Sequence, residues 1–337
     1  MRVWQIGDGF GLENLACVER EELSAGPGQV VIAMRAVSLN FRDYMMVQGF
    51  YNPRQRLPLV PCSDGVGEVI AVGEGVSRVV PGDRVMPIFA QAWICGRPSR
   101  DKLKTTLGGP LDGTLGERMV VDQESLVIVP AHLSDEEAAC LPCVGVTAWN
   151  ALVCEGRVAA GDRVLILGTG GVAIFATQLA GVLGAEVFVT SSSDAKLERV
   201  KALGAAHGVN YRTTPAWGKA IKALTGGEGV DHVVELGGAG TLEESLRAVR
   251  IGGQISLIGA LSGAAQELNV LPILMQHVRV QGIIVGSREM FEALNRAVSL
   301  HALRPVVDRV FEFEEAREAF EYLASGEHFG KVCVRIA

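Results

Sequence analysis

The chain is poor in aromatic residues, 6% of 337, and has no excess of positive charge: 31 basic against 38 acidic side chains leave a formal charge of −7. Without basic tracts it lacks the electrostatic footprint of a nucleic-acid binder or of a surface that seeks anionic lipid. No apolar run reaches the roughly 18 residues of a bilayer-spanning helix, so neither nucleic acid nor membrane is an expected partner. The first residues, from Met1 to Phe10, have no charged lead, apolar core and cleavage site of a secretory leader, and a cytoplasmic location is the expectation. The seven cysteines are few and odd in number, which argues against a disulfide framework. All six histidines lie beyond residue 131, so the first part of the chain offers no imidazole to a catalytic zinc, which usually takes three protein ligands. Neither a G-x-S-x-G nucleophile elbow nor a phosphate-binding P-loop is present.

Glycine, in contrast, is abundant: 41 of 337 residues, about 12%, against roughly 7% in ordinary globular chains. Up to about residue 130, glycine and proline punctuate short apolar runs such as those starting at Val30, Gly67, Arg84, Met119 and Leu126, a pattern of strands in an irregular all-β module with almost no helical periodicity. At Ser134 the register changes. Ser134 followed by Glu137 fits a capping box at a helix start, and from Arg163 to about residue 285 strand-like runs alternate with helix-length segments. Such β-α-β repetition predicts an α/β fold with a doubly wound parallel sheet. The tail reads helix, helix, strand.

The strongest motif is the strand-like run 163–167 leading into Gly168, Thr169, Gly170, Gly171, Val172 and Ala173, then an apolar helix. In that context G-x-G-x-x-A is the fingerprint of a dinucleotide site: Gly168 makes the tight turn, Gly170 admits the pyrophosphate, and the small Ala173 lets helix and strand approach. The next strand would end at Ser191, Ser192 and Ser193, where an NAD site usually carries a carboxylate for the ribose 2′-hydroxyl. Hydroxyls followed by Lys196, with Tyr211 further on, suit a 2′-phosphate, so NADP(H) is expected over NAD(H); Asp194 is the residue that would restore NAD. Gly237, Ile258 and Gly259, at later strand ends, are expected along the same crevice.

For chemistry, Cys140 and Cys143 have metal or redox spacing but no second pair, and structural packing is the expected role. The polar residues Asn40, Arg42, Asp43, Tyr44, Tyr51, Ser63 and Asp64 are concentrated in one stretch. Hydride transfer to a carbonyl or enone needs orientation and donors for developing oxyanion charge, which Asn40 and Tyr51 can supply.

The stretches 36–43, 61–69, 80–85, 141–149, 168–171, 201–205 and 328–332, in this order, resemble the medium-chain dehydrogenase/reductase superfamily over essentially the whole chain. Residues 39–43 and 191–196 look like its quinone-oxidoreductase-like branch, especially bacterial proteins labelled NAD(P)-dependent alcohol dehydrogenase. The resemblance implies a GroES-like β-barrel domain (1–125, completed by 287–337), a Rossmann domain (126–286) and an active site in the cleft. In zinc members of the superfamily Cys, His and Cys hold the metal; here those positions fall on Asn40, Ser63 and Cys143, and the structural-zinc lobe keeps one cysteine, Cys95. No metal ligand set is therefore expected. The resemblance further implies that Asn40 and Tyr51 line the cleft, that Met45 replaces one of its tyrosines, that Thr147 lies beside the nicotinamide ribose, and that Ser192, Lys196 and Tyr211 surround the 2′-phosphate. A homodimer joined through the sheet-edge strand 278–285 is implied as well. The expectation is a zinc-independent oxidoreductase passing hydride between NADPH and a quinone, enone, aldehyde or ketone. A zinc-dependent NAD(P) alcohol dehydrogenase and an NADP-binding protein without turnover are the alternatives.

Overall fold

A computed structural model describes residues 1–336. They form two compact units, Met1–Val146 with the tail from Gly286 onward, and Thr147–Val285. In chain order the strands are β1 (Arg2–Ile6), β2 (Leu15–Glu19), β3 (Gln29–Leu39), β4 (Asp64–Val72), β5 (Arg84–Pro87), β6 (Arg118–Asp122), β7 (Leu126–Ile128), β8 (Arg163–Leu167), β9 (Glu186–Ser191), β10 (His207–Asn210), β11 (Val230–Glu235), β12 (Val249–Leu257), β13 (Arg279–Gly282), β14 (Val307–Glu312) and β15 (Lys331–Arg335).

In the first unit seven strands run in the order β14-β15-β3-β4-β5-β7, with β6 also on β3. β3 is the spine because its apolar residues are buried along nearly its whole length, so both edges take partners. The register of these pairings decides what happens at the C-terminal end of β3. Val332 of β15 lies opposite Leu39, and Asp64 of β4 lies opposite Ser38. Asn40, Asp64 and Lys331 are thereby gathered at one end of three adjacent strands, although 291 positions separate Lys331 from Asn40.

Helix Phe41–Val47 interrupts a stretch that reads as free of helices. Its start is fixed by Asp43, whose carboxylate accepts the Asn40 backbone N–H at 2.9 Å, half of a capping box. Its apolar residues Met46 and Val47 then join Leu39, Phe320, Val332 and Val334 in a buried core. Ser134 does cap a helix, Asp135–Ala139, and the reciprocal Glu137 bond is present. That helix belongs to the first unit, so the expected boundary at residue 126 precedes the observed division at Val146. The reason is packing at its C-cap, where Cys140 buries its thiol 3.7 Å from Cys333 Sγ on β15 and within reach of Ser38 on β3.

In the second unit six parallel strands form one sheet in the order β10-β9-β8-β11-β12-β13. The strand order reverses between β8 and β11. Open α/β sheets bind ligands at the carboxyl ends of strands beside such a switch point, and both glycine-rich turns, after Leu167 and after Glu235, lie there.

Candidate active site

In the first unit, the Asn40 side chain sits at the end of β3 and is buried. Its Oδ1 accepts from Lys331 Nζ at 2.6 Å, and its Nδ2 donates to Ser63 Oγ at 3.4 Å. Ser63 in turn donates to Asp64 Oδ1 at 3.1 Å. Lys331, only 4% exposed, also donates to the Leu39 carbonyl at 2.7 Å and lies 3.9 Å from Asp64 Oδ2. A buried ammonium must find acceptors for its protons; Asn40 Oδ1 and the Leu39 carbonyl are two, and the Asp64 carboxyl adds an opposite charge at ion-pair distance. Burial pushes the Asp64 carboxyl up to about 7, against the opposing pull of the Lys331 ammonium. The same burial raises Asp43, which the neighbouring Arg42 guanidinium partly offsets.

Arg42 forms a second anchor. Its guanidinium donates to the carbonyls of Leu107 at 2.7 Å and Gly109 at 3.1 Å, and its carbon lies 5.0 Å from the centre of the Tyr51 ring and 5.1 Å from that of Phe89. Tyr51 is thus placed by a cation–π contact. It is 52% exposed, and no protein partner for its hydroxyl is found among the described residues. Cys143 stands in one wide helical turn, Leu141–Gly145, and its backbone N–H donates to Asp64 Oδ2 at 3.3 Å. Burial holds its thiol well above the ordinary value. Asn40 and Ser63 are therefore in direct contact, Cys143 meets the same carboxylate through its backbone, and Tyr51 stands on Arg42. Thr147 is buried and belongs to the second unit.

Reading the residues alone did not single out Lys331. Apart from its place in the stretch 328–332 that carries the resemblance, its signal is a lysine directly after Gly330 at the head of an apolar run, a pattern that ordinarily marks a solvated strand end.

The second unit carries the glycine turn. Gly168 has φ +83, a left-handed conformation suited to glycine, and is followed by helix Gly171–Val182. Gly170 is that helix's N-cap and makes no side-chain capping bond, and no acidic residue occupies the first turn. A helix start with uncapped amides and no carboxylate attracts an anion. Thr169 is buried and Val172 half-buried beside it.

At the tip of β9, Ser191 Oγ accepts the Ser193 N–H at 3.3 Å, and Ser193 Oγ accepts the Lys196 N–H at 3.3 Å. Among the described residues no acceptor is found for either hydroxyl proton. Ser192 and Lys196 are half-buried, and exposed Tyr211 pairs its backbone N–H with the Ser191 carbonyl at 3.0 Å. Asp194 accepts from Asn210 Nδ2 at 2.7 Å, so one of its oxygens is already engaged.

Gly237 behaves differently from a free cofactor amide. Its N–H donates to Glu235 Oε1 at 2.8 Å; Gly238 N–H and the Thr241 hydroxyl donate to the same oxygen, and Ser245 binds the other. Glu235, fully buried, thereby holds the turn after β11 in shape. Ile258 and Gly259 follow β12, with their N–H groups on the Glu235 carbonyl at 2.9 and 3.3 Å. A side chain at Gly259 would meet the Leu236 carbonyl oxygen at 2.2 Å. Gly237, Ile258 and Gly259 thus lie together.

Among the described residues no helix is long and apolar enough to cross a membrane. No group of three or more His, Cys, Asp or Glu side chains that could hold a metal ion is found among them either.

Known proteins agree with this architecture. Residues 26–131 match the alcohol dehydrogenase GroES-like domain, and residues 171–299 match the zinc-binding dehydrogenase family. A zinc-type alcohol dehydrogenase-like protein of Schizosaccharomyces pombe is 42% identical over 92% of this chain and 91% of its own length. Acryloyl-coenzyme A reductase of Metallosphaera sedula is 30% identical over 93% of this chain and 94% of its own. A crystal structure of an NAD-dependent alcohol dehydrogenase superposes with a TM-score of 0.92, at 35% identity and full coverage of both chains. The chain belongs to the medium-chain dehydrogenase/reductase family, among its zinc-type alcohol dehydrogenase-like proteins, and is an NAD(P)-dependent oxidoreductase of that type.

Proposed function

We propose that the chain is a zinc-independent reductase that uses NADPH to reduce a conjugated carbonyl compound, with an enone or quinone favoured over a simple aldehyde or ketone. The observation that carries the reading is the Lys331–Asn40–Ser63–Asp64 set. A catalytic zinc does not fit these residues. Asn40 presents its one good ligand atom to an ammonium, which would repel a dication, and a neutral amide and a hydroxyl are poor partners for zinc. Burial and the neighbouring Asp64 carboxyl raise the Cys143 thiol, which disfavours the thiolate a metal needs. In the lobe around Cys95, Lys102 Nζ binds the carbonyls of Cys95 at 2.8 Å and Arg97 at 2.9 Å, so a second ammonium organises that loop.

Bound NADPH is the source of hydride. The residues around the glycine turn fit it: the uncapped helix start suits the pyrophosphate, and Ser191, Ser192, Lys196 and Tyr211 suit the 2′-phosphate. Asn40 Nδ2 donates to Ser63 Oγ over a long 3.4 Å and also bonds the Asp64 carboxyl, so the N–H offered to substrate is the one on that long contact. That N–H and the Tyr51 hydroxyl are the donors for the oxygen on which negative charge develops. For an enone the hydride adds to the β-carbon, the enolate oxygen takes the charge, and a proton from water completes the saturated carbonyl. The similarity to acryloyl-coenzyme A reductase, whose named acceptor is a conjugated thioester, supports this substrate class.

Steady-state rates with NADPH and NADH on a quinone, an enone, an enoyl thioester and an aldehyde test the reading. Turnover of the conjugated acceptors with NADPH is expected; activity confined to alcohols or aldehydes overturns it. The NAD-dependent relative makes cofactor choice a separate test. Ser192→Asp is expected to raise the KM for NADPH at least tenfold while leaving that for NADH unchanged or lower, because a carboxylate repels the 2′-phosphate. An unchanged NADPH KM would remove Ser192 from the site.

We also propose a homodimer through the edge of the parallel sheet. The edge strand β13 is shorter than the expected 278–285 but occupies the expected position. Near it in sequence, Val270, Leu271, Leu274, Met275 and Ile284 are exposed. An apolar edge left uncovered is an aggregation hazard. Sedimentation of the wild type at micromolar concentration should give a dimer, and Leu274→Asp with Met275→Asp a monomer; a monomeric wild type refutes the proposal.

A further inference from the structure

We infer that Lys331 is a positioning residue of the reduction: by holding Asn40 Oδ1, its buried ammonium fixes which end of the Asn40 carboxamide is presented to substrate. The inference rests on the role proposed above for Asn40. The terminal torsion of asparagine has two broad, nearly equivalent settings, so a carboxamide near a hydroxyl can accept from it or donate to it. Ser63 alone offers Asn40 that choice. An ammonium has only donors, so at 2.6 Å it accepts no orientation except oxygen toward Nζ. With the oxygen so engaged, both N–H bonds lie on the opposite side. One meets Ser63 Oγ, whose own proton is committed to Asp64 Oδ1. The other bonds the Asp64 carboxyl, so an oxyanion takes the N–H on the long Ser63 contact. In the reversed setting an oxygen lone pair would face the developing negative charge.

The backbone holds Lys331 to this task. Gly330 has φ +89, and a side chain there would meet the Val306 carbonyl oxygen at 2.4 Å. Val332 is paired with Leu39. The Leu39 carbonyl and Asp64 complete the ammonium's surroundings. Lys331 reaches substrate only through Asn40.

Lys331→Met and Asn40→Ala, singly and together, test this on whichever substrate the wild type turns over, with NADPH affinity read by fluorescence titration. Lys331→Met is expected to lower kcat 10- to 100-fold with the dissociation constant of NADPH within twofold. In the Asn40→Ala background it should change kcat less than twofold. A full, additive loss in the double variant overturns the inference, as does an unchanged kcat in the single one. Lys331→Met leaves Asp64 without its cation; if it does not fold, Lys331→Gln, whose carboxamide can both donate and accept and so imposes no single setting on Asn40, enters the same cycle with the same criteria. A crystal structure of the folded variant gives a readout that needs no turnover. The Asn40 carboxamide should be reversed or split between two settings, and an unchanged, single setting refutes the inference. A wild type inactive on conjugated acceptors would instead count against the substrate reading and leave this structural readout in force.

Discussion

Gly170→Asp is expected to weaken NADPH binding by about 100-fold or more while the folded protein keeps or gains stability. Gly170 is the N-cap of helix Gly171–Val182, with ordinary extended backbone (φ −81) and no capping bond of its own. Aspartate is among the best N-cap residues, and introducing it in place of glycine stabilises a helix by about a few tenths of a kcal/mol. The same carboxylate would take the amides that the pyrophosphate needs and would face it with like charge. Two such charges about 4 Å apart at a partly wetted site repel by about 4 kcal/mol, more than two decades in affinity. Fluorescence titration beside thermal unfolding separates the two effects. Near-normal affinity in a protein of unchanged melting temperature would sink the assignment of this turn to the pyrophosphate. Affinity and stability lost together would mean that the substitution had only damaged the fold.

Asn40→Ala is expected to lower kcat by about 100-fold with little change in NADPH affinity. Removing one preorganised oxyanion donor typically costs a factor of about 10²–10³, and the glycine turn, Ser191 and Ser192 that are proposed to bind NADPH all belong to the other unit. Some stability should go as well. The Lys331 ammonium loses its 2.6 Å acceptor and keeps the Leu39 carbonyl and Asp64, a loss on the order of 1–3 kcal/mol for a buried group left short of a partner. Asn40→Asp distinguishes charge from donation, since it preserves an acceptor for Lys331 but removes the N–H. Recovery of kcat by Asp would show that Asn40 serves Lys331 and not the substrate.

How much of this was legible depends on the distance over which each feature is encoded. The parallel sheet was readable because β8, β9 and β11 are local apolar runs separated by helix-length segments. The fingerprint at Gly168 to Ala173 is equally local. Helix Phe41–Val47 escaped because seven residues give barely two turns of periodicity, and its stability comes from Met46 and Val47 entering a core built with Phe320, far along the chain. The bond that Gly237 makes to Glu235 escaped for a similar reason. The glycine's position beside the crevice follows from the strand before it, but the capture of its N–H by Glu235 depends on a carboxylate buried under Thr241 and Ser245. Lys331 was the least visible of all. Its neighbours in sequence mark it as a strand-end charge, and only the β15–β3 register brings it onto Asn40. The histidines and cysteines missing at Asn40 and Ser63 were readable in the sequence; the lysine that contacts Asn40 was not.

The central claim is that a fixed ammonium and hydrogen-bond donors do here what a metal does in zinc-dependent relatives. Its most direct test is NADPH-dependent reduction of an enone by protein dialysed against a strong zinc chelator, with the metal content of the same sample determined. The account predicts less than about a tenth of a zinc per chain and an unchanged kcat. Loss of activity on chelation, restored by one equivalent of zinc, would contradict it.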